Sequence, residues 1–193
     1  MDYGQKHYVA EKRASILTSK LLDIPPTDLH NVGLTAFFNE SKDWLLSEQA
    51  QRDMRIGRHH FSFVQGRNAA MILRAAMFAS VRGINKVVIG ANENDVIGGF
   101  PDCSLPFLEA MQVVLSTSFR DPIQLVAPCR GMMKTQTIAY ILKIGARGEQ
   151  LLENSWSCYE GKTTPCGSCG SCVVRQNAIQ ASRSPATLLN QDQ

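Results

Sequence analysis

The chain lacks any apolar run approaching the roughly 20 residues of a membrane-spanning helix, so no membrane span is expected. It has little charge of one sign: 20 Lys and Arg against 17 Asp and Glu leave a net charge of +3. That excess falls short of the basic footprint of a nucleic-acid binder, although it permits an anionic small ligand. The sequence does not open on the charged-then-apolar segment of a secreted protein, so reduced thiols and a cytoplasmic location are expected. What is present is an ordinary globular composition, 44 % hydrophobic and 19 % charged over 193 residues. A chain of that length can bury roughly 70 % of its unfolded surface in one domain.

The densest chemical signal is a late group of thiols, Cys158, Cys166, Cys169 and Cys172. Two residues between successive cysteines let a tight turn aim their sulfurs at one point, and Gly167 and Gly170 supply backbone freedom where the chain curls. Clustered thiols have three readings: a tetrahedral zinc site, an iron-sulfur cluster, or a disulfide framework. Zinc is the expectation, and it is expected to be structural, because four thiolates leave no open position for water or substrate. Cys103 and Cys129 stand alone in sequence and are expected to be buried small hydrophobes.

Periodicity predicts a helix over Gln5 to Leu22, with Ala10, Ala14, Leu17, Leu21 and Leu22 on one face, ending before Pro25-Pro26. Leu29 to Leu34 is a weak strand candidate. The polar stretch from Asn39 to Gln65 holds His59-His60 and Arg52, Arg55 and Arg58, read as a solvated loop rather than a site. Gly66-Arg67-Asn68 opens an Ala- and Met-rich segment to Val81, apolar nearly all round and therefore expected to be a buried helix. Lys86 to Gly90 and Ile123 to Ala127 read as short strands buried on both faces. Helices are expected over Leu105 to Ser118 and Thr135 to Ile144, with the turn-rich stretch Ala91 to Asp102 between strand and helix. Helices alternating with short apolar strands predict an α/β fold, a parallel sheet with helices on both faces. Ligands gather there where strands run into helices, which brings forward Arg67, Asn68, Asp95, Asp102 and Lys134. An arginine beside a helix N-terminus suits an anion. Residues 1–150 are expected to form the α/β domain, 151–181 a zinc lobe and 182–193 a loose tail.

Four pieces in this order resemble the 7-cyano-7-deazaguanine synthase family, the nitrile-forming ligases of queuosine biosynthesis, from Asp2 to about Ala178. They are Asp2-Tyr-Gly-Gln-Lys-His7, Phe63-Val-Gln-Gly-Arg-Asn68, Asn94-Asp95 with Gly99-Phe-Pro-Asp-Cys103, and Trp156-Ser-Cys-Tyr159 with Pro165-Cys-Gly-Ser-Cys-Gly-Ser-Cys172. The resemblance implies an adenine-nucleotide hydrolase-like, Rossmann-related fold with a small C-terminal zinc lobe. It implies ATP, with magnesium, activating the carboxylate of 7-carboxy-7-deazaguanine, and ammonia displacing AMP to give an amide that a second activation dehydrates. It further implies catalytic roles for Arg67 and Lys134 near phosphate or carboxylate oxygens. Asn68, Asp95, Phe100 and Asp102 would meet the purine-like acid, and the zinc ligands would be the four late cysteines.

The sequence also departs from the family pattern. It has no Ser-Gly-Gly-x-Asp-Ser loop to grip the pyrophosphate of ATP. Gln65 stands for the usual proline, Phe100 for a tyrosine, and Ser104 for a common arginine. Three accounts follow: a fragment of an active synthase, a subunit completed by a loop-bearing partner, or a relic that binds without catalysing. A sheet short of a strand exposes an edge and favours self-association, so a homo-oligomer is expected. The alternative from another class is a non-catalytic zinc-containing binding or assembly module. Nucleic-acid contact by the lobe is not expected, because Lys162, Arg175 and Arg183 with Trp156 and Tyr159 make a thin groove for phosphates.

Overall fold

The structure is a computed structural model and describes residues 2–24, 34–35, 45–46, 55–56, 59–60 and 62–184. The chain groups into two compact units, residues 42–133 and residues 1–41 with 134–193. They are termed the sheet unit and the cysteine unit.

The sheet unit holds a short antiparallel pair, β1 (Arg55–Ile56) and β2 (His59–His60). It continues through α2 (Arg67–Ser80), β3 (Lys86–Val88), α3 (Glu93–Ile97), a 3-10 turn over Pro101–Cys103, α4 (Leu105–Ser118) and β4 (Gln124–Val126). β3 and β4 pair in parallel, with Val87 opposite Leu125. The fold is therefore α/β around a parallel sheet. Its core is one apolar cluster of Ile72 and Ala76 from α2, Val87 from β3, Met111 and Leu115 from α4, and Ile123 just before β4. Gln112 of α4 adds a polar clamp, donating to the Ile123 carbonyl at 3.0 Å and accepting from the Leu125 amide at 2.7 Å. A helix side chain thus occupies backbone groups beside the strand that would otherwise be left unpaired. α4 begins where the sequence places it, because the Ser104 side chain accepts from the Phe107 amide and Pro106 sits in the first turn.

Two burial expectations do not hold. Val88 is 66 % exposed, so β3 is not covered on both faces. Both α2 and α4 contribute to the cluster on the Val87 side, and successive strand residues point to opposite faces. Nor is α2 buried all round: Met77 is exposed, and Val81 beyond the helix end is 79 % exposed. Its buried stripe is Ile72, Ala76 and Ala79, the face turned to the sheet.

The cysteine unit contains α1 (Tyr8–Leu21), α5 (Lys134–Leu142), α6 (Ala146–Asn154) and α7 (Gly170–Ser182). α1 is half-buried along Ala10, Ala14, Leu17 and Leu21, the predicted face, while Leu22 lies exposed beyond its end. Ile138, Leu152 and Ala178 join α5, α6 and α7 in a small core. Gly148 makes the α5–α6 corner possible, since a Cβ there would meet the Ile141 carbonyl oxygen at 2.0 Å. The predicted strand over 29–34, apart from the buried Leu34, and most of the polar stretch 39–65, including Arg52 and Arg58, lie outside the described residues. No described helix is long and apolar enough to cross a membrane.

Candidate metal centre and ligand loops

The four late cysteines converge. Their sulfurs all lie within 4.8 Å of one another, with Cys166 Sγ and Cys172 Sγ 4.0 Å apart. Ligands at the usual zinc–sulfur distance of about 2.3 Å stand about 3.8 Å apart around a tetrahedron, so the set fits such an ion. All six cysteines are free thiols, which removes the disulfide reading. Three elements shape the site. A loop brings in Cys158, a turn carries Cys166, and the start of α7 supplies Cys169 as its N-terminal cap and Cys172 in its first turn.

The thiols differ in their surroundings. Backbone amides of Ser168 and Cys169 point at Cys166 and lower its thiol to about 6, the Cys169 amide lying 3.2 Å from the sulfur. Burial instead raises Cys158 and pushes Cys172 up to about 12. Buried thiols with high proton affinity beside a stabilised thiolate form a donor set that a divalent ion would deprotonate outright. Four cysteines this close can hold a metal ion such as zinc.

Around this centre two distant motifs meet. The His7 ring lies 5.3 Å from that of Tyr159, next to Cys158 in sequence. Gly161, at φ +67°, passes so close to the Lys6 carbonyl oxygen that a Cβ would lie 2.6 Å from it. Trp156 donates from Nε1 to the Cys158 carbonyl at 2.8 Å and fixes the approach to the first ligand. His7 is buried and lies 3.4 Å from Glu11. Burial tends to raise the Glu11 carboxyl, but His7 and Gln5 outweigh it and hold it below its ordinary value.

The sheet unit joins the other two motifs. Asn68, in the first turn of α2, donates to the Asp102 carbonyl at 3.1 Å and to Cys103 Sγ at 3.5 Å. Phe63 and Phe100 meet edge to face at 6.4 Å. Asp95, in the first turn of α3, accepts from the Asn92 amide at 3.3 Å and closes that helix start. Asp102 is the unusual group: it is 5 % exposed, and among the described residues neither carboxylate oxygen has a hydrogen-bond partner. Desolvation raises its pKa, while Arg67 and the nearby backbone amides of Asn68 and Asp102 pull it down less strongly. Cys103 beside it is buried and its thiol is pushed up to about 12, mainly by desolvation, as an inert core residue.

The sequence profile described as queuosine biosynthesis protein QueC matches residues 1–183. The chain belongs to that family. Among its relatives, a Chromobacterium violaceum protein named 7-cyano-7-deazaguanine synthase is 30 % identical over 196 residues, covering 100 % of this chain and 80 % of the relative. A Synechococcus sp. protein of the same name is 30 % identical over 189 residues, covering 95 % of this chain and 82 % of the relative. A Methanosarcina mazei protein of that name is 38 % identical over 118 residues, covering 61 % of this chain and 49 % of the relative.

Within this QueC-family chain, Arg67, Asn68, Asp95, Phe100 and Asp102 all belong to the sheet unit, whereas Lys134 opens α5 in the cysteine unit. Arg67 begins α2 behind Gly66, and no side chain caps that helix start. Two contributors escaped the sequence reading. Arg175, counted there only as surface charge, donates to the Leu152 carbonyl at 2.5 Å, to the Ser155 carbonyl at 3.1 Å and to the Ser155 hydroxyl. Its position three residues after Cys172, one turn along the same helix, was the available signal. His7 was quoted only as part of a motif, although a histidine ending a run before an amphipathic helix is placed to pack under it.

Proposed function

We propose that this chain is the substrate-side part of an ATP-dependent carbon-nitrogen ligase that makes 7-cyano-7-deazaguanine from 7-carboxy-7-deazaguanine and ammonia. The observation that carries the reading is Asp102, a buried carboxylate with both oxygens lacking a hydrogen-bond partner among the described residues. Such a group costs stability unless a ligand supplies donors, and the edge of a guanine-like ring offers N–H groups in the pairing a carboxylate accepts. Asn68 holds the turn that presents Asp102, through the Asp102 carbonyl. Phe100, packed edge-on against Phe63, would offer an apolar surface to the ring. Asp95 closes the start of α3 through the Asn92 amide, and its own carbonyl accepts from the Phe100 amide at 3.0 Å.

The reaction needs a poor leaving oxygen converted into a good one. The substrate carboxylate attacks the α-phosphorus of ATP, pyrophosphate leaves, and ammonia then displaces AMP at the carbonyl carbon to give an amide. Activation of the amide oxygen in the same way lets it depart with AMP as the nitrile forms. Arg67 and Lys134 are assigned to the phosphate or carboxylate oxygens whose charge grows in these steps. ATP would arrive with magnesium, and a loop gripping pyrophosphate would come from polypeptide beyond this sequence, in the same chain or in a partner. The late cysteines would hold a structural zinc, with all four positions filled by thiolate.

The test is turnover. Incubation with ATP, magnesium, ammonium and 7-carboxy-7-deazaguanine, alone and with a polypeptide bearing a pyrophosphate loop, should yield the nitrile and AMP in the second case. The free substrate acid should also bind without ATP and lose that binding in Asp102→Ala. Absence of both turnover and Asp102-dependent binding would overturn the proposal.

A further inference from the structure

A cavity lies wholly within the cysteine unit, and none of the residues assigned above lines it. It has a volume of about 330 Å³, within the range of small-molecule sites. One wall is the small-residue face of α1, including Ala10, Ala14 and Leu17, and the opposite wall includes Trp156 and Pro165. Trp156 and Pro165 stand within two residues of Cys158 and next to Cys166, so the folded metal loop forms that wall. The rim is cationic: Arg13, Lys162 and Arg175 line the cavity against the single carboxylate of Glu153. Among the described residues no carboxylate pairs with any of the three. Arg175 is already committed by its donors to Leu152 and Ser155, so its charge stays fixed at the wall while its hydrogen bonds are filled from the backbone.

We infer that this cavity binds a small organic anion with a flat apolar body, the body between α1 and Trp156 and the acid group toward Arg13 and Lys162. The walls exclude a bare inorganic ion, which would leave the Ala14, Leu17 and Pro165 surface in contact with nothing. They also exclude a neutral aromatic as the preferred ligand, because three cations would then face one carboxylate across a partly dehydrated space. The inference does not depend on the reading of Asp102. It gives the metal loop a role beyond folding, as one side of a binding site.

The probe is 2-naphthoate, with the uncharged 2-naphthalenemethanol as control. The sequence has two tryptophans, so Trp44→Phe leaves Trp156 as the sole indole reporter. Titration should quench Trp156 fluorescence saturably with one site, and the alcohol should bind roughly tenfold more weakly or less. Arg13→Gln and Lys162→Gln should each weaken naphthoate by up to roughly fivefold, as expected for loss of an exposed charge contact, and salt should do the same. Both residues are exposed, so these variants should fold. Ala14→Phe, which fills the cavity from the α1 side, should abolish quenching while metal content stays unchanged. Equal binding of acid and alcohol, or quenching that survives Ala14→Phe, would overturn the inference.

Discussion

The two units of this chain are held together by different physics. The sheet unit rests on a continuous apolar cluster from Ile72 to Ile123, with Leu115 fully buried. The cysteine unit has a smaller apolar core of Ile138, Leu152 and Ala178, and next to it a cluster whose buried members are thiols. Each unit nevertheless brings together two motifs that are remote in sequence. In one, Asn68 reaches the Asp102 turn across 34 positions. In the other, His7 meets Tyr159 and Gly161 meets Lys6. The motif order along the chain thus hides a pairing in space: second with third, and first with fourth. The lesson is that one motif pair is fixed on the edge of an apolar core, whereas the pair with little core lies beside a cysteine cluster that could hold a metal.

The sharpest way to break this comparison is to remove the metal site. Cys169→Ser should lose bound metal and unfold the segment from Trp156 through α7, an effect on the order of the 10 kcal/mol that structural zinc contributes in small finger peptides. Hydrogen exchange read by mass spectrometry should show protection lost there and retained over residues 67–118. Uniform loss in both units would mean that they do not differ in this way. Leu115→Ala is the converse, costing about 2–5 kcal/mol of sheet-unit stability in denaturant while metal content is unchanged.

Smaller effects sharpen the contrast at the ligand loops. Arg67→Ala should weaken binding of the substrate acid roughly 10- to 100-fold, the loss of a charged hydrogen bond, with little change in thermal stability. A large drop in melting temperature with unaltered binding would make Arg67 structural instead. The smallest effect has the most diagnostic sign. Asp102 is raised in the folded state, so the unfolded chain releases its proton first as pH increases. Its contribution to stability is therefore lost as pH rises from the ordinary carboxylate range through the raised folded value. Metal sites run the other way, because protons displace metal from thiolates as pH falls. Asp102→Asn should consequently gain stability near neutral pH and lose substrate binding, as seen by calorimetry and titration of the same variant.

Much of this was legible in the residues, for identifiable reasons. α4 was placed over Leu105 to Ser118 because a Ser-x-Pro start and a long apolar run leave few alternatives. The metal ligands were legible because their chemistry depends on spacing alone. Burial of β3 was misread, since a short apolar run such as Lys86 to Gly90 reports hydrophobicity but not how many helices cover each face; Val88 is exposed. α6 and α7 were not foreseen. α6 has only Leu151 and Leu152 as large apolar residues and a glycine at 148, a residue that sequence reasoning treats as a breaker but that close packing on Ile141 requires. α7 has Cys172 and small or polar residues over much of its length, so no strong apolar stripe announces the helix. The turn-rich stretch hid α3 and the 3-10 turn because both are shorter than any periodic window. The unpartnered carboxylate of Asp102 was legible nowhere, since it depends on what the other described residues bring to it.

One detail of α7 reaches further than its size. Cys169 stands at the N-cap position and Cys172 in the first turn, so one ion held by both would clamp the cylinder at its base and set its rotational phase. Each residue advances that phase by about 100°. Inserting a single alanine after Cys172 would leave the sulfurs in reach of one another yet swing Arg175 away from Leu152 and Ser155, and Ala178 away from Ile138 and Leu152. A bound ion would work as an angular stop, and the downstream helix would read its setting the way a cam reads a shaft.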